Sequence, residues 1–157
     1  VLILSNNKSA YILTRAKKMN VPILVFSKKE LVDFTFLHKN LISKKIDFII
    51  LAGFLLKIPK KMVGLYPNKI INIHPSLLPK YGGKGMYGKN VHISVLRNNE
   101  EESGITIHLV NEKYDDGVIL MQKKCSISSN ETLKSLSKKI SSLEKKYFPL
   151  VIKKHIL

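Results

Sequence analysis

Short apolar runs alternate along the chain with stretches in which apolar residues recur every three or four positions. That alternation predicts strands and helices in turn. The first run, Val1-Leu2-Ile3-Leu4, reads as a strand, and a helix follows over about 9–19. A second strand is expected over 23–26. Ser27 and Glu30 have the spacing of a capping box, in which each side chain satisfies a backbone donor of the other. Leu31, Phe34, Leu37 and Leu41 then predict a helix running to about 44. The run 46–51 is apolar throughout, as in a strand covered on both faces. Beyond it come a short helix from Pro59, a strand over 69–73 and a long loop holding Pro75, Pro79, Gly82, Gly83, Gly85 and Gly88. A helix over 90–97, strands over 104–110 and 118–123, and a helix over 130–146 complete the pattern. Ser128 and Glu131 suggest a second capping box, and Pro149 interrupts the pattern before a basic tail. The fold class expected is α/β, an open, mostly parallel sheet with helices on both faces.

Composition narrows the class. A length of 157 residues fits a single domain over 1–157, and 45% hydrophobic with 24% charged residues is globular composition. No apolar run reaches the length of a membrane span, and no signal peptide is evident, so no membrane association is expected. The lone Cys125 excludes an internal disulfide and points to a reducing, cytoplasmic compartment. The net charge of +16 raises the question of polyanion binding. Yet 25 of the 27 basic residues are Lys and two, Arg15 and Arg97, are Arg. Nucleic-acid readout favours Arg forks and aromatic platforms, and the chain has no Trp. Nineteen Ile and 11 Asn beside so much Lys read as compositional drift rather than a nucleic-acid footprint.

Ligands of open α/β sheets collect at the carboxyl ends of the strands. Asn72 and His74 lie at such an end, two residues apart and so on one face of the strand. An amide that donates and an imidazole that supplies a proton suit the stabilisation of an oxyanion. The same two residues also describe an ordinary strand end with a hydrogen-bonded His. Asp115, in the loop Tyr114-Asp115-Asp116-Gly117, is the carboxylate that would orient the imidazole; alone it equally fits a turn. His108 reads as a satisfied core histidine, His92 is ambiguous, and His38 and His155 read as surface residues. No His or Cys pair has zinc-ligand spacing, so no metal is expected.

The block Ile71-Asn72-Ile73-His74-Pro75-Ser76-Leu77-Leu78-Pro79 closely resembles the Asn-Ile-His-Pro-Ser-Leu-Leu-Pro signature of the formyltransferases that use 10-formyltetrahydrofolate. Leu51-Ala52-Gly53-Phe54, Gly104-Ile105-Thr106-Ile107-His108, Tyr114-Asp115-Asp116-Gly117, and Glu144 with the segment 147–152 resemble further family motifs in the same order. The likeness is strongest to the branch that formylates glycinamide ribonucleotide in purine synthesis. It implies a Rossmann-like formyltransferase fold, 10-formyltetrahydrofolate as co-substrate and Asn72, His74 and Asp115 as catalytic residues. By the same resemblance Leu55, Leu56, Lys57 and Ile58 would line the pterin pocket, with Asn72 beside it. Asn111, Glu112, Lys113, Tyr114 and Asp115 would form its other wall. Ser141, Ser142, Leu143 and Glu144 would face the ribose of glycinamide ribonucleotide, Glu144 accepting its hydroxyls.

The family's first βα unit, with its Gly-Ser-Asn phosphate loop, has no counterpart here. The expectation is therefore an N-terminally truncated domain with weak activity by itself. The Gly-rich stretch 80–88 is expected to be mobile and to act as a lid, the other reading being a tolerated surface insertion. Two other readings remain: another 10-formyltetrahydrofolate enzyme, formyltetrahydrofolate deformylase, or a non-enzymatic basic binding module.

Overall fold

The computed structural model describes residues 1–156. These form two compact units, Val1–Asp47 with Leu56–Tyr66, and Phe48–Leu55 with the described residues from Pro67 onward.

In the first unit, β1 (Ile3–Ser5) and β2 (Ile23–Val25) pair in parallel, Ile3 opposite Ile23, and α1 (Tyr11–Lys18) joins them. Leu13 and Ala16 are the buried face of α1. The helix expected up to residue 44 is two: α2 (Lys28–Asp33) and α3 (Thr35–Ser43). The expected Ser27–Glu30 capping box forms, with Glu30 Oε2 accepting from the Ser27 amide at 2.6 Å and Ser27 Oγ from the Glu30 amide at 3.2 Å. The break falls at Phe34, whose φ of 64° is left-handed and closes α2. Leu31, Phe34, Leu37 and Leu41 are all buried, so the apolar spacing read the buried face correctly and missed the break within it. Pro59 precedes α4 (Lys60–Leu65) as its N-cap.

The second unit is built on a sheet of order β3-β4-β5-β6. β3 (Ile49–Leu51) runs parallel to β4 (Ile70–His74); β5 (Glu102–Leu109) and β6 (Ile119–Ser126) add antiparallel. The α/β class holds, with both βαβ-type pairings parallel and β5–β6 closing the chain's sheet as a hairpin. β3 is shorter than the expected 46–51 and only half-buried. Alternation organises the rest. Ile71 and Ile73 of β4 and Ile105 and Ile107 of β5 enter one core with Val91 and Val95 of α5 (Lys89–Arg97) and Leu136, Ile140, Phe148 and Val151 of α6 (Leu133–Ile156). The intervening positions, Asn72, His74, Thr106 and His108, point to the opposite face.

The last helix corrects two expectations. It starts at Leu133, capped by a reciprocal pair: the Ser135 amide donates to Thr132 Oγ1 at 3.1 Å and the Thr132 amide to Ser135 Oγ at 3.0 Å. Ser128 and Glu131 do bond each other, but upstream of the helix. The helix also runs through Pro149 to Ile156. Proline removes one helical hydrogen bond and crowds the preceding turn. Burial of Phe148 and Val151 on either side offsets that cost.

Candidate functional site

Every residue of the site described below belongs to the second unit. Asn72 and His74 occupy the last turns of pleat in β4, and the antiparallel register sets Asn72 opposite His108 and His74 opposite Thr106. Four polar side chains thus share one patch of a sheet whose other face is Ile and Val. His74, Thr106 and His108 are buried, so each must find partners within the fold.

His108 is the residue the sequence undervalued. It is a buried histidine, as expected, but it is also part of the site. Its Nδ1 lies 2.8 Å from the Leu109 carbonyl, which only accepts, so Nδ1 carries the hydrogen. Desolvation holds its pKa below the usual 6.5, partly opposed by that same bond and by Asp115. Neutral His108 therefore offers the Nε2 lone pair to Asn72 Nδ2, 3.1 Å away. This bond orients the Asn72 amide and leaves its second N–H for another acceptor. The signal was present in the sequence: Thr106 and His108 alternate with Ile105 and Ile107 in a strand otherwise built for burial.

Asp115 approaches from the β5–β6 loop with a left-handed φ of 51°. Its Oδ1 is 3.5 Å from His74 Nδ1 and 3.8 Å from His108 Nε2. Since the His108 Nε2 carries no hydrogen, the ring that can donate to Asp115 is that of His74. The backbone of the following loop completes the arrangement. His74 Nε2 donates to the Tyr81 carbonyl at 2.7 Å, and the Gly83 amide donates to Asp115 Oδ2 at 2.9 Å. Gly82 lies between them in a tight fit: a Cβ there would stand 2.6 Å from Leu78 Cδ2 and 3.2 Å from Asp115 Cβ, so the Leu78 side chain would have to move.

The segment 75–80 is fastened beneath this loop. Thr106 Oγ1 donates to the Ser76 carbonyl at 2.7 Å and accepts from the Leu78 amide at 3.0 Å. Gln122 Nε2 donates to Thr106 Oγ1 and to the Leu78 carbonyl. Ser76 Oγ donates to the Lys80 carbonyl at 2.7 Å. His92, on α5, is also buried. Desolvation and the neighbouring His74 charge lower its pKa, and its Nδ1 has no hydrogen-bond partner among the described residues.

The structure brings Asn72, His74 and Asp115 together, as expected. The other expected residues are placed as follows. Leu55 is exposed at the end of a segment of the second unit, whereas Leu56, Lys57 and buried Ile58 belong to the first unit. Glu112, Lys113 and Tyr114 are exposed on the loop ahead of Asp115, and Asn111 holds that loop's shape, its Oδ1 accepting from the Lys113 amide and its Nδ2 donating to Asp116. On α6, Ser141, Leu143 and Glu144 are half-buried and Ser142 is exposed, its hydroxyl donating to the Lys138 carbonyl. Desolvation raises the Glu144 pKa, partly offset by Lys145.

An oriented amide and an imidazole can both donate to a carbonyl oxygen on which charge develops, and a carboxylate beside them can balance an imidazolium; these are the groups that acyl transfer uses. The formyl transferase family model matches residues 1–152, and the chain belongs to that family. It is 39% identical to the chloroplastic phosphoribosylglycinamide formyltransferase of Arabidopsis thaliana over 97% of this chain and 54% of that protein. It is 35% identical to the phosphoribosylglycinamide formyltransferase of Haemophilus influenzae, covering 96% of this chain and 71% of that one. Among solved structures it superposes on the phosphoribosylglycinamide formyltransferase of Bacillus halodurans with a TM-score of 0.88 at 30% identity, over 99% of this chain and 80% of that one. The chain spans about half the length of the plant relatives, 54% and 45%. No described helix is long and apolar enough to cross a membrane.

Proposed function

We propose that the chain transfers the formyl group of 10-formyltetrahydrofolate to the amine of glycinamide ribonucleotide, as a single formyltransferase domain with Asn72, His74 and Asp115 as its catalytic residues. The convergence of these three side chains carries the reading. The amine nitrogen attacks the formyl carbon and the carbonyl oxygen becomes an oxyanion. The second N–H of Asn72 and the Nδ1–H of protonated His74 donate to that oxygen. Asp115 stabilises the imidazolium and takes part in moving the amine proton to N10 of the folate. The bond from the formyl carbon to N10 then breaks, giving the formylated ribonucleotide and tetrahydrofolate. No metal is needed, because two donors already meet the developing charge. Glu144 accepts ribose hydroxyls, and the loop of Asn111, Glu112, Lys113 and Tyr114 contacts the folate.

The test follows formyl transfer between the two substrates by absorbance of the folate product. His74→Ala and Asp115→Asn should each lower kcat by about 10²-fold or more, the scale of a lost acid–base group. Full transfer by both variants, or none by the unsubstituted protein, would sink the reading.

A further inference from the structure

Tyr81 has no role in the chemistry above, yet it is among the most constrained residues of the second unit. Its φ of 57° is left-handed, a conformation that a bulky side chain adopts only where its surroundings impose it. Those surroundings are specific. The Tyr81 hydroxyl donates to Glu100 Oε1 at 2.8 Å and accepts from Asn98 Nδ2 at 2.8 Å. Both partners sit in the turn between α5 and β5. Glu100 also binds Lys80 Nζ through both oxygens at 3.0 Å, and these bonds hold its carboxyl below the usual range. The ring packs against the core shared by β4, β5, α5 and α6. The other end of the residue, its carbonyl, lies 2.7 Å from His74 Nε2.

A carbonyl accepts and never donates, so this contact decides which ring nitrogen of His74 keeps a hydrogen. Nε2 carries it in both the neutral and the charged ring. Nδ1, facing Asp115 Oδ1, is left as the nitrogen that gains and loses a proton. Two residues on, the Gly83 amide bonds Asp115 Oδ2, so the same strut aligns both members of the pair.

We infer that Tyr81 is a positioning residue for His74: its hydroxyl, moored to Glu100 and Asn98, holds its carbonyl on Nε2 and so reserves Nδ1 for proton transfer. The inference deepens the formyl-transfer reading, and its kinetic consequences rest on that reading. The ring tautomer does not.

The experiment therefore has two arms. Nitrogen-15 correlation spectra of the histidine side chains give the His74 tautomer directly. The unsubstituted protein should show Nε2–H. Tyr81→Phe, which keeps the packed ring and deletes only the hydroxyl, should populate the Nδ1–H form, and so should Glu100→Ala. Glu100→Gln retains an acceptor for the hydroxyl and should preserve the native tautomer. In kinetics, Tyr81→Phe should lower kcat about tenfold with KM for both substrates within about twofold, the pattern of a misplaced catalytic group. An unchanged tautomer in both Tyr81→Phe and Glu100→Ala overturns the inference, as does a Glu100→Gln protein that behaves like Glu100→Ala. A protein that shows the expected tautomer changes but transfers no formyl group keeps the positioning role and refutes the formyl-transfer reading.

Discussion

Asn72 and His108 stand opposite each other across the β4–β5 ladder, and Asn72 Nδ2 donates to His108 Nε2 over 3.1 Å. The direction of this bond follows from the other side of the ring, where Nδ1–H is committed to the Leu109 carbonyl. A backbone group thus sets a tautomer, the tautomer sets an amide, and the amide presents its remaining N–H.

That chain of dependence predicts coupling. His108→Leu keeps the position filled but removes the acceptor. It should lower kcat for formyl transfer by about tenfold with little change in KM, and the His108→Leu/Asn72→Ala double variant should be no slower than Asn72→Ala alone. Independent, additive losses would show that the bond does not position the amide.

Burial of His92 and His108 predicts an acid-sensitive fold. Both have pKa values lowered below 6.5, chiefly by desolvation. The unfolded chain takes up these protons near pH 6.5 while the folded chain resists, so the unfolded state gains stability as pH falls through that value. Thermal melts should show Tm level above about pH 7 and declining below about pH 6.5. Replacing both residues with Gln should flatten that decline.

Gly117 is required by close approach of the backbone. A Cβ there would lie 1.8 Å from the Leu109 carbonyl oxygen and 2.8 Å from its carbon. Neither β5 nor the Asp115 loop can yield without breaking the β5–β6 pairing. Gly117→Ala should cost about 2–4 kcal/mol, read as a lower urea midpoint.

Glu144 should show opposite effects on stability and on binding. Desolvation raises its pKa, so the folded state holds its proton more tightly than the unfolded state. The ionised form therefore penalises folding, increasingly as pH rises through the folded pKa. Glu144→Gln should raise Tm at pH 7, with the gain fading towards pH 4.5. If its carboxylate accepts ribose hydroxyls, the same substitution should raise KM for glycinamide ribonucleotide by about tenfold. A KM that does not move places Glu144 outside the nucleotide site.

Element types were legible in the chain because period 2 and period 3.6 are local properties: β4, β5, α5 and the buried faces of α2, α3 and α6 follow directly from where Ile, Val and Leu fall. The break at Phe34 was not legible, since its left-handed φ interrupts the helix without interrupting the apolar spacing. Nor was the passage of α6 through Pro149, because local propensity opposes it and only the burial of Phe148 and Val151 outweighs that penalty. The +16 charge, mostly Lys, keeps its double reading: it suits anionic substrates, and nothing at the site of Asn72, His74 and Asp115 depends on it.

The residue types of the site were readable in the same way. Asn72 and His74 share a strand face by spacing alone, and the motif around them resembles one family closely. Their partnerships were not readable. His108, Tyr81, Gly83 and Glu100 lie 36, 7, 32 and 19 residues from the groups they bond. Those bonds depend on antiparallel register and on a loop folded back across two strand ends. Register is fixed by long-range burial, and a one-residue slip would send His108 and Thr106 into the Ile core. Local sequence thus specified which chemical groups are present, and tertiary packing decided which nitrogen holds the hydrogen and which way each donor points.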